Sequence, residues 1–226
     1  MIFDAIIISD THLGSELCCT SHLLDFLNKI KSNELKTNLL ILNGDVFDSY
    51  DFRRLKKSHW KILSVIRKIS GHIQIVWVTG NHDGPVDVLN HLLGVEVVEE
   101  FTLTSGTKKF LVTHGDRFDE IMSNHPIISK LADRIYQLIT KWFPKGFSRL
   151  IKRSSKTYSR AINTVRERAI SEAISRGMDG TICGHVHMSE LTYKGDVVYC
   201  NSGSWTESPC TFITVKDGEI KLDRFD

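Results

Sequence analysis

Five short apolar runs in this 226-residue chain end in residues that can bind a metal ion. IIISDTH delivers Asp10 and His12, LLILNGD delivers Asp45, and VWVTGNHD delivers Asn81, His82 and Asp83. FLVTHGD adds His114 and Asp116, and GTICGHVH closes the series with His185 and His187. A single strand that ends in His or Asp is ordinarily just entering a turn. Two histidines at i and i+2 share a face where the backbone is extended. Five such endings exceed what turns explain, and in three of them a glycine (Gly44, Gly80, Gly184) directly precedes the ligand type. Glycine there lets the backbone bend closely around a site.

Imidazole mixed with carboxylate oxygen suits borderline divalent ions such as Mn, Fe or Zn, rather than calcium or a thiolate site. Asp10, His12, Asp45, Asn81, His114, His185 and His187 are too many ligands for one ion with an open position. They suit two ions sharing a carboxylate. Asn81 is neutral, so the site stays positive, as phosphate binding requires. A pair of ions ~3.5–4 Å apart lowers the pKa of a shared water and clamps both oxygens of an in-line displacement at phosphorus. His82, beside Asn81, is the candidate general acid for the leaving oxygen. Asp83 and Asp116 are candidates to orient the ligands from behind. Asp48 and Asp119 read either that way or as plain turn acids.

Positioning these residues requires strands that all finish at one edge, which is where open α/β sheets bind ligands. Up to about residue 115, β-branched runs (FDAIIIS, NLLILNG, HIQIVWVTG, KKFLVTHG) alternate with amphipathic helical patterns (TSHLLDFLNKIKS, HWKILSVIRKIS). From 120 to 176 the pattern turns helical, interrupted at Pro144 and Gly146, with Gly177 placed as a C-cap. Short strands with Gly turns then follow to the end and predict a second sheet. The whole reads as a layered α/β sandwich with a helical insertion.

The ordered set D-x-H, G-D, G-N-H-D, H-G-D and G-H-x-H resembles the calcineurin-like metallophosphoesterases, from Ile6 to about Ser204. DTHLG, GDVFD, the insertion between HGD and GHVH, and YCNSGSWTES are similar in detail to bacterial UDP-2,3-diacylglucosamine pyrophosphatases and their relatives. The resemblance implies a four-layer αββα sandwich of two mixed β-sheets, as a single metallophosphoesterase domain over 1–226 with a helical cap at about 120–176. It implies one metal on Asp10, His12, Asp45 and His187, and the other on Asp45, Asn81, His114 and His185, with Asp45 bridging. It further implies manganese, a place at the inner membrane surface, and cleavage of UDP-diacylglucosamine in lipid A biosynthesis. One position departs: those lipid enzymes usually carry Arg after the metal-binding Asn, where this chain has His82, the general phosphoesterase choice.

Composition narrows the field further. The content is 41% hydrophobic and 25% charged, ordinary for a soluble globular protein. The opening MIFDAIIISD does not resemble a secretory signal. No apolar stretch approaches the ~20 residues of a membrane span. Cys18, Cys19, Cys183, Cys200 and Cys210 make no C-x-x-C pair and read as reduced thiols of a cytoplasmic protein. The net charge of +2 is uneven: between Lys130 and Arg168, eleven Lys or Arg face two acids, a local +9. An anionic partner is expected there. Trp142 and Phe147, with Arg149 and Arg153, are candidates to contact a phosphorylated amphiphile or nucleotide-linked substrate, or an anionic membrane surface. A soluble phosphodiesterase or nuclease would use the same basic run on a nucleic-acid backbone. A non-catalytic scaffold of the same fold is the remaining alternative.

Overall fold

The computed structural model describes residues 1–84, 94–119 and 156–226. Two large sheets carry the fold. Strands β1 (Ile2–Phe3), β2 (Ala5–Ile8), β3 (Lys36–Thr37), β4 (Leu39–Asn43), β5 (Gln74–Val78) and β6 (Glu96–Val98) come first, followed by β7 (Glu100–Ser105) and β8 (Lys108–Thr113). After helix α3 (Lys156–Ser175) come β9 (Gly180–Cys183), β10 (Glu190–Lys194), β11 (Val197–Asn201), β12 (Cys210–Lys216) and β13 (Glu219–Phe225). The six-stranded sheet has the order β13-β12-β2-β4-β5-β6 and the five-stranded sheet the order β10-β11-β9-β8-β7. Both are mixed: β2, β4, β5 and β6 run parallel, as do β8, β9 and β11, while β12, β13, β7 and β10 pair antiparallel.

The near-continuous apolar runs of β2, β4 and β5 follow from burial on both faces. Side chains alternate between faces. Ala5, Ile7, Leu39, Ile41, Val76 and Val78 meet Phe110, Val112 and Ile182 of the second sheet. Ile6, Ile8, Leu40, Leu42, Ile75 and Trp77 meet helices α1 (Thr20–Lys31) and α2 (Lys57–Ile69). Those helices bury Leu23, Phe26, Leu27 and Ile30, and Ile62, Leu63, Ile66 and Ile69, at the three- and four-residue spacing of one helical face. On the far side, Ile162, Val165, Ala169 and Ile170 of α3 cover Cys183 and Tyr199. The layers are therefore αββα, as expected.

Two details differ from the sequence reading. The closing strands do not all join the second sheet: β12 and β13 return to the first, with Ile213, Thr214 and Val215 paired to β2. The cause is two-sided burial, since Ile213 and Val215 point between the sheets while Phe212 packs with Phe26. Second, β6 and β7 were not legible as strands, because Glu96, Glu99 and Glu100 interrupt their apolar pattern. Both are edge strands, where charge is tolerated and discourages further pairing. Of the helical cap expected at about 120–176, residues 120–155 lie outside the described residues; 156–175 form α3, and Gly177 beyond it has the expected left-handed φ of 63°. Among the described residues no helix is long and apolar enough to cross a membrane.

Candidate metal centre

All five ligand-bearing loops leave strands β2, β4, β5, β8 and β9 at their C-terminal ends. Asp10, His12, Asp45, His185 and His187 take φ values of 54°, 45°, 51°, 68° and 52°. A left-handed backbone is uncommon outside glycine and costs about 1–3 kcal/mol per residue, so the surroundings must enforce it. Hydrogen bonds between the loops do so: Asp10 N donates to Gly44 O (3.0 Å), His12 N to Asp45 O (3.0 Å), and Gly184 N to His114 O (2.9 Å). The extended backbone expected for His185 and His187 is therefore corrected. They sit on a tight loop and turn to different ligand sets.

The motif glycines are explained by space. A Cβ on Gly44 would lie 2.2 Å from His114 Nδ1, one on Gly80 2.3 Å from Asp45 Oδ1, and one on Gly184 2.5 Å from Asp10 Oδ2. Of the three, only Gly44 has a positive φ. Ligand side chains pass directly over these glycines, so even a methyl group would displace them.

The loops bring together two ligand sets. Asp10, His12 and His187 form one, and Asp45, His114 and His185 the other. In the first, His187 Nε2 lies 3.0 Å from Asp10 Oδ1 and 3.2 Å from His12 Nε2. In the second, His114 Nε2 lies 3.3 Å from Asp45 Oδ2. The same Asp45 Oδ2 is 3.8 Å from His12 Nε2, so this one oxygen borders both sets. Asp45 Oδ1 is engaged by the backbone N–H of His82 (2.9 Å). Asn81 is exposed on that same loop, between Gly80 and His82.

Two buried atoms in the centre have no hydrogen-bond partner: Asp10 Oδ1 and His114 Nε2. Leaving such groups unpaired costs about 1–3 kcal/mol or more each, and a divalent cation satisfies both. Charge points the same way. Burial pushes the Asp45 carboxyl up, but the nearby charge of His114, and then that of His12, hold it well below its ordinary range. Asp10 is also lowered: burial is opposed and outweighed by His187 and His114. Against its own burial, His114 is raised well above the usual imidazole range by Asp45 and Asp10, and more weakly by Asp116. Protons are here drawn to where a cation belongs, and the residues present fit the metals expected of them.

The groups behind the ligands match the sequence candidates only in part. Asp83 is buried and accepts from Phe47 N (3.0 Å), Gly80 N (3.0 Å) and Trp77 Nε1 (3.1 Å). It anchors the loops that carry Asp45 and Asn81 and turns no imidazole. Burial, then the Asp45 charge, pushes it up to about 6. The carboxylates that face ligand rings are Asp119, 3.2 Å from His185 Nε2, and Asp48, 3.6 Å from His12 Nδ1. Ser9 and Asn43 were missed altogether. Ser9 Oγ donates to Asp10 Oδ2, which also accepts from His185 N (3.1 Å). The Asn43 carbonyl accepts from His114 Nδ1 (2.9 Å), and its side chain donates to Thr113 O (3.1 Å) across the sheets. The available signal was a polar residue ending each otherwise apolar strand.

The model of the calcineurin-like phosphoesterase family matches residues 4–189, a span that contains all seven candidate ligands. The chain belongs to that family. Among solved structures, it is 16% identical to an archaeal phosphodiesterase (TM-score 0.53, covering 98% of this chain and 99% of that one). It is 15% identical to Yfce, a phosphoesterase from E. coli (TM-score 0.52, 98% and 99% covered). It is 18% identical to a Vps29 single mutant from Entamoeba histolytica (TM-score 0.51, 98% and 98% covered). At these identities the likeness is one of fold. No curated protein matches the sequence. Trp142, Phe147, Arg149 and Arg153 of this phosphoesterase lie outside the described residues.

Proposed function

We propose that this phosphoesterase hydrolyses a phosphodiester or pyrophosphate bond with two divalent metal ions. The observation that carries the reading is one buried oxygen, Asp45 Oδ2, bordering two sets of carboxylate and imidazole ligands. Asp10, His12 and His187 would hold one ion, His114, His185 and Asn81 the other, and Asp45 both. Mn²⁺ is the first choice for such donors, with Fe or Zn as alternatives. Bound there, the ions supply Lewis acidity and a nucleophile at neutral pH.

The protein's own contribution is orientation and proton transfer. His82 Nδ1 lies 3.0 Å from the Asp48 carbonyl, which can only accept, so this nitrogen carries a proton and Nε2 is left to serve the reaction. The ring sits edge-on to His12, with centroids 5.1 Å apart. From there the imidazolium form of His82, with its second proton on Nε2, protonates the leaving oxygen.

The finer reading is a nucleotide-linked lipid such as UDP-diacylglucosamine, met at the inner face of the cell membrane. The +9 run between Lys130 and Arg168 and its interleaved Trp142 and Phe147 support an anionic amphiphile. A Mn²⁺ assay on UDP-diacylglucosamine, a short nucleic acid and a small p-nitrophenyl phosphodiester tests it. The expected result is preference for the lipid, lost in Trp142→Ala/Phe147→Ala while the small ester is still cleaved. Preference for nucleic acid that collapses between 50 and 200 mM salt would favour the nuclease reading. No hydrolysis by a metal-loaded protein would leave only a scaffold.

A further inference from the structure

Asp48 occupies a peculiar position between the metal ligands and the general acid. Its carboxylate Oδ1 is 3.6 Å from Nδ1 of His12, and its carbonyl is 3.0 Å from Nδ1 of His82. Its backbone N–H donates to Leu13 O (3.0 Å), which ties it to the loop just past His12. One residue thus touches two imidazoles with different tasks. The 3.0 Å contact with a carbonyl puts hydrogen on Nδ1 of His82, and the carboxylate charge 3.6 Å from Nδ1 of His12 favours hydrogen there too, so both rings present Nε2. For His12 that is the nitrogen facing His187 Nε2 and Asp45 Oδ2.

What fixes Asp48 is Arg54. The guanidinium Nη2 lies 2.5 Å from Asp48 Oδ2, and Nη1 donates to Ser49 Oγ (3.1 Å). Arg54 belongs to a short 3-10 turn, Phe52–Arg54, at the far end of the segment that leaves β4 and carries Asp45 and Asp48. That turn packs against the same loop: a Cβ on Gly14 would meet Arg54 Cβ at 3.6 Å and Asp48 Cβ at 3.9 Å. The Asp48 side chain is 10% exposed, and that of Arg54 40% exposed. The arginine therefore reaches from the rim to a nearly buried carboxylate with one donor and to Ser49 with another, a geometry that a single point charge does not reproduce.

We propose that Arg54 is a positioning residue, which clamps Asp48 and through it fixes the metal-binding nitrogen of His12 and the proton-bearing ring of His82. This deepens the two-metal reading and rests on it. Removing the clamp leaves every ligand in place but frees Asp48 to turn away from His12. Partners behind a ligand of this kind are worth about 10–100-fold in metal affinity, and one step further out the effect falls at the lower end.

The test is a double-mutant cycle of Arg54→Gln and Asp48→Asn, read by Mn²⁺ calorimetry and by kcat and KM on an activated p-nitrophenyl and an unactivated alkyl phosphodiester. Arg54→Gln is expected to weaken one of the two Mn²⁺ sites about tenfold. At saturating Mn²⁺ it should lower kcat more on the alkyl ester, with KM little changed. The double variant should be no worse than Asp48→Asn alone, because both act on one contact. Multiplying losses, or a rise in KM with Mn²⁺ affinity unchanged, would show that Arg54 holds substrate directly and would overturn the clamp. An Arg54→Gln protein indistinguishable from wild type would overturn it too. Because Mn²⁺ binding is read without substrate, failure to cleave either ester would count against the hydrolase reading and not against the clamp.

Discussion

The two ligand sets are built in opposite senses. Around His114 the support comes from the interior: its side chain is fully buried and its Nδ1 rests on the carbonyl of Asn43 at the end of a core strand. Around His12 the support comes from the rim: an Asp48 carboxylate held by a half-exposed Arg54, and a His187 whose side chain is 22% exposed. A strand carbonyl is held by sheet pairing and cannot swing, whereas a side-chain carboxylate can. The inner set should therefore bind its ion more tightly, and the outer set should be the one that exchanges. Sharing Asp45 couples the two.

The most severe way to break this arrangement is Asp45→Ala, which removes the shared oxygen. Activity on any phosphodiester should fall to background, measured with saturating Mn²⁺. A smaller but still large effect is expected from His82→Ala, which touches neither set as a ligand. It should keep its metal and lose roughly 10²–10⁴-fold in turnover on a poor leaving group, and much less on p-nitrophenolate. Equal losses on both would assign His82 to phosphate binding instead.

Gly80→Ala and Gly184→Ala sharpen the comparison, the first by pressing on the shared carboxylate and the second by pressing on the outer set. The new methyl would crowd Asp45 Oδ1 in the first and Asp10 Oδ2 in the second. Each should cost about 1–3 kcal/mol as overpacking, seen as a lower thermal midpoint. Gly184→Ala should weaken chiefly the outer ion and Gly80→Ala both, as calorimetric titration would report. The mildest change is Asp119→Asn, which loosens His185 alone. A ten- to hundredfold weaker inner site with the outer site little changed is expected.

The site was far more legible in the sequence than its supports. Ligands such as Asp10, Asp45 and His185 announce themselves because a charged or imidazole group directly after an apolar run has few structural uses. The layers were legible too, since β2, β4 and β5 are apolar on both faces and α1 and α2 on one. What stayed hidden depends on contacts distant in sequence. Asn43 reaching Thr113, and Ser9 reaching Asp10 and Ser202, look like ordinary strand-end polar residues until the sheets are stacked. The return of β12 to β2 was equally invisible, because pairing across 200 residues leaves no local mark. Asp83 misled for a related reason. Its place beside His82 suggested an orienting role, but its side chain turns inward to Trp77 and two backbone amides.

The most direct test of the shared-carboxylate centre is elemental analysis of the Mn²⁺-reconstituted protein, as purified and as Asp45→Ala. Two ions per chain in the wild type, with loss of occupancy at both sites in the variant, is the predicted result. An Asp45→Ala protein that still retains two ions would contradict the account.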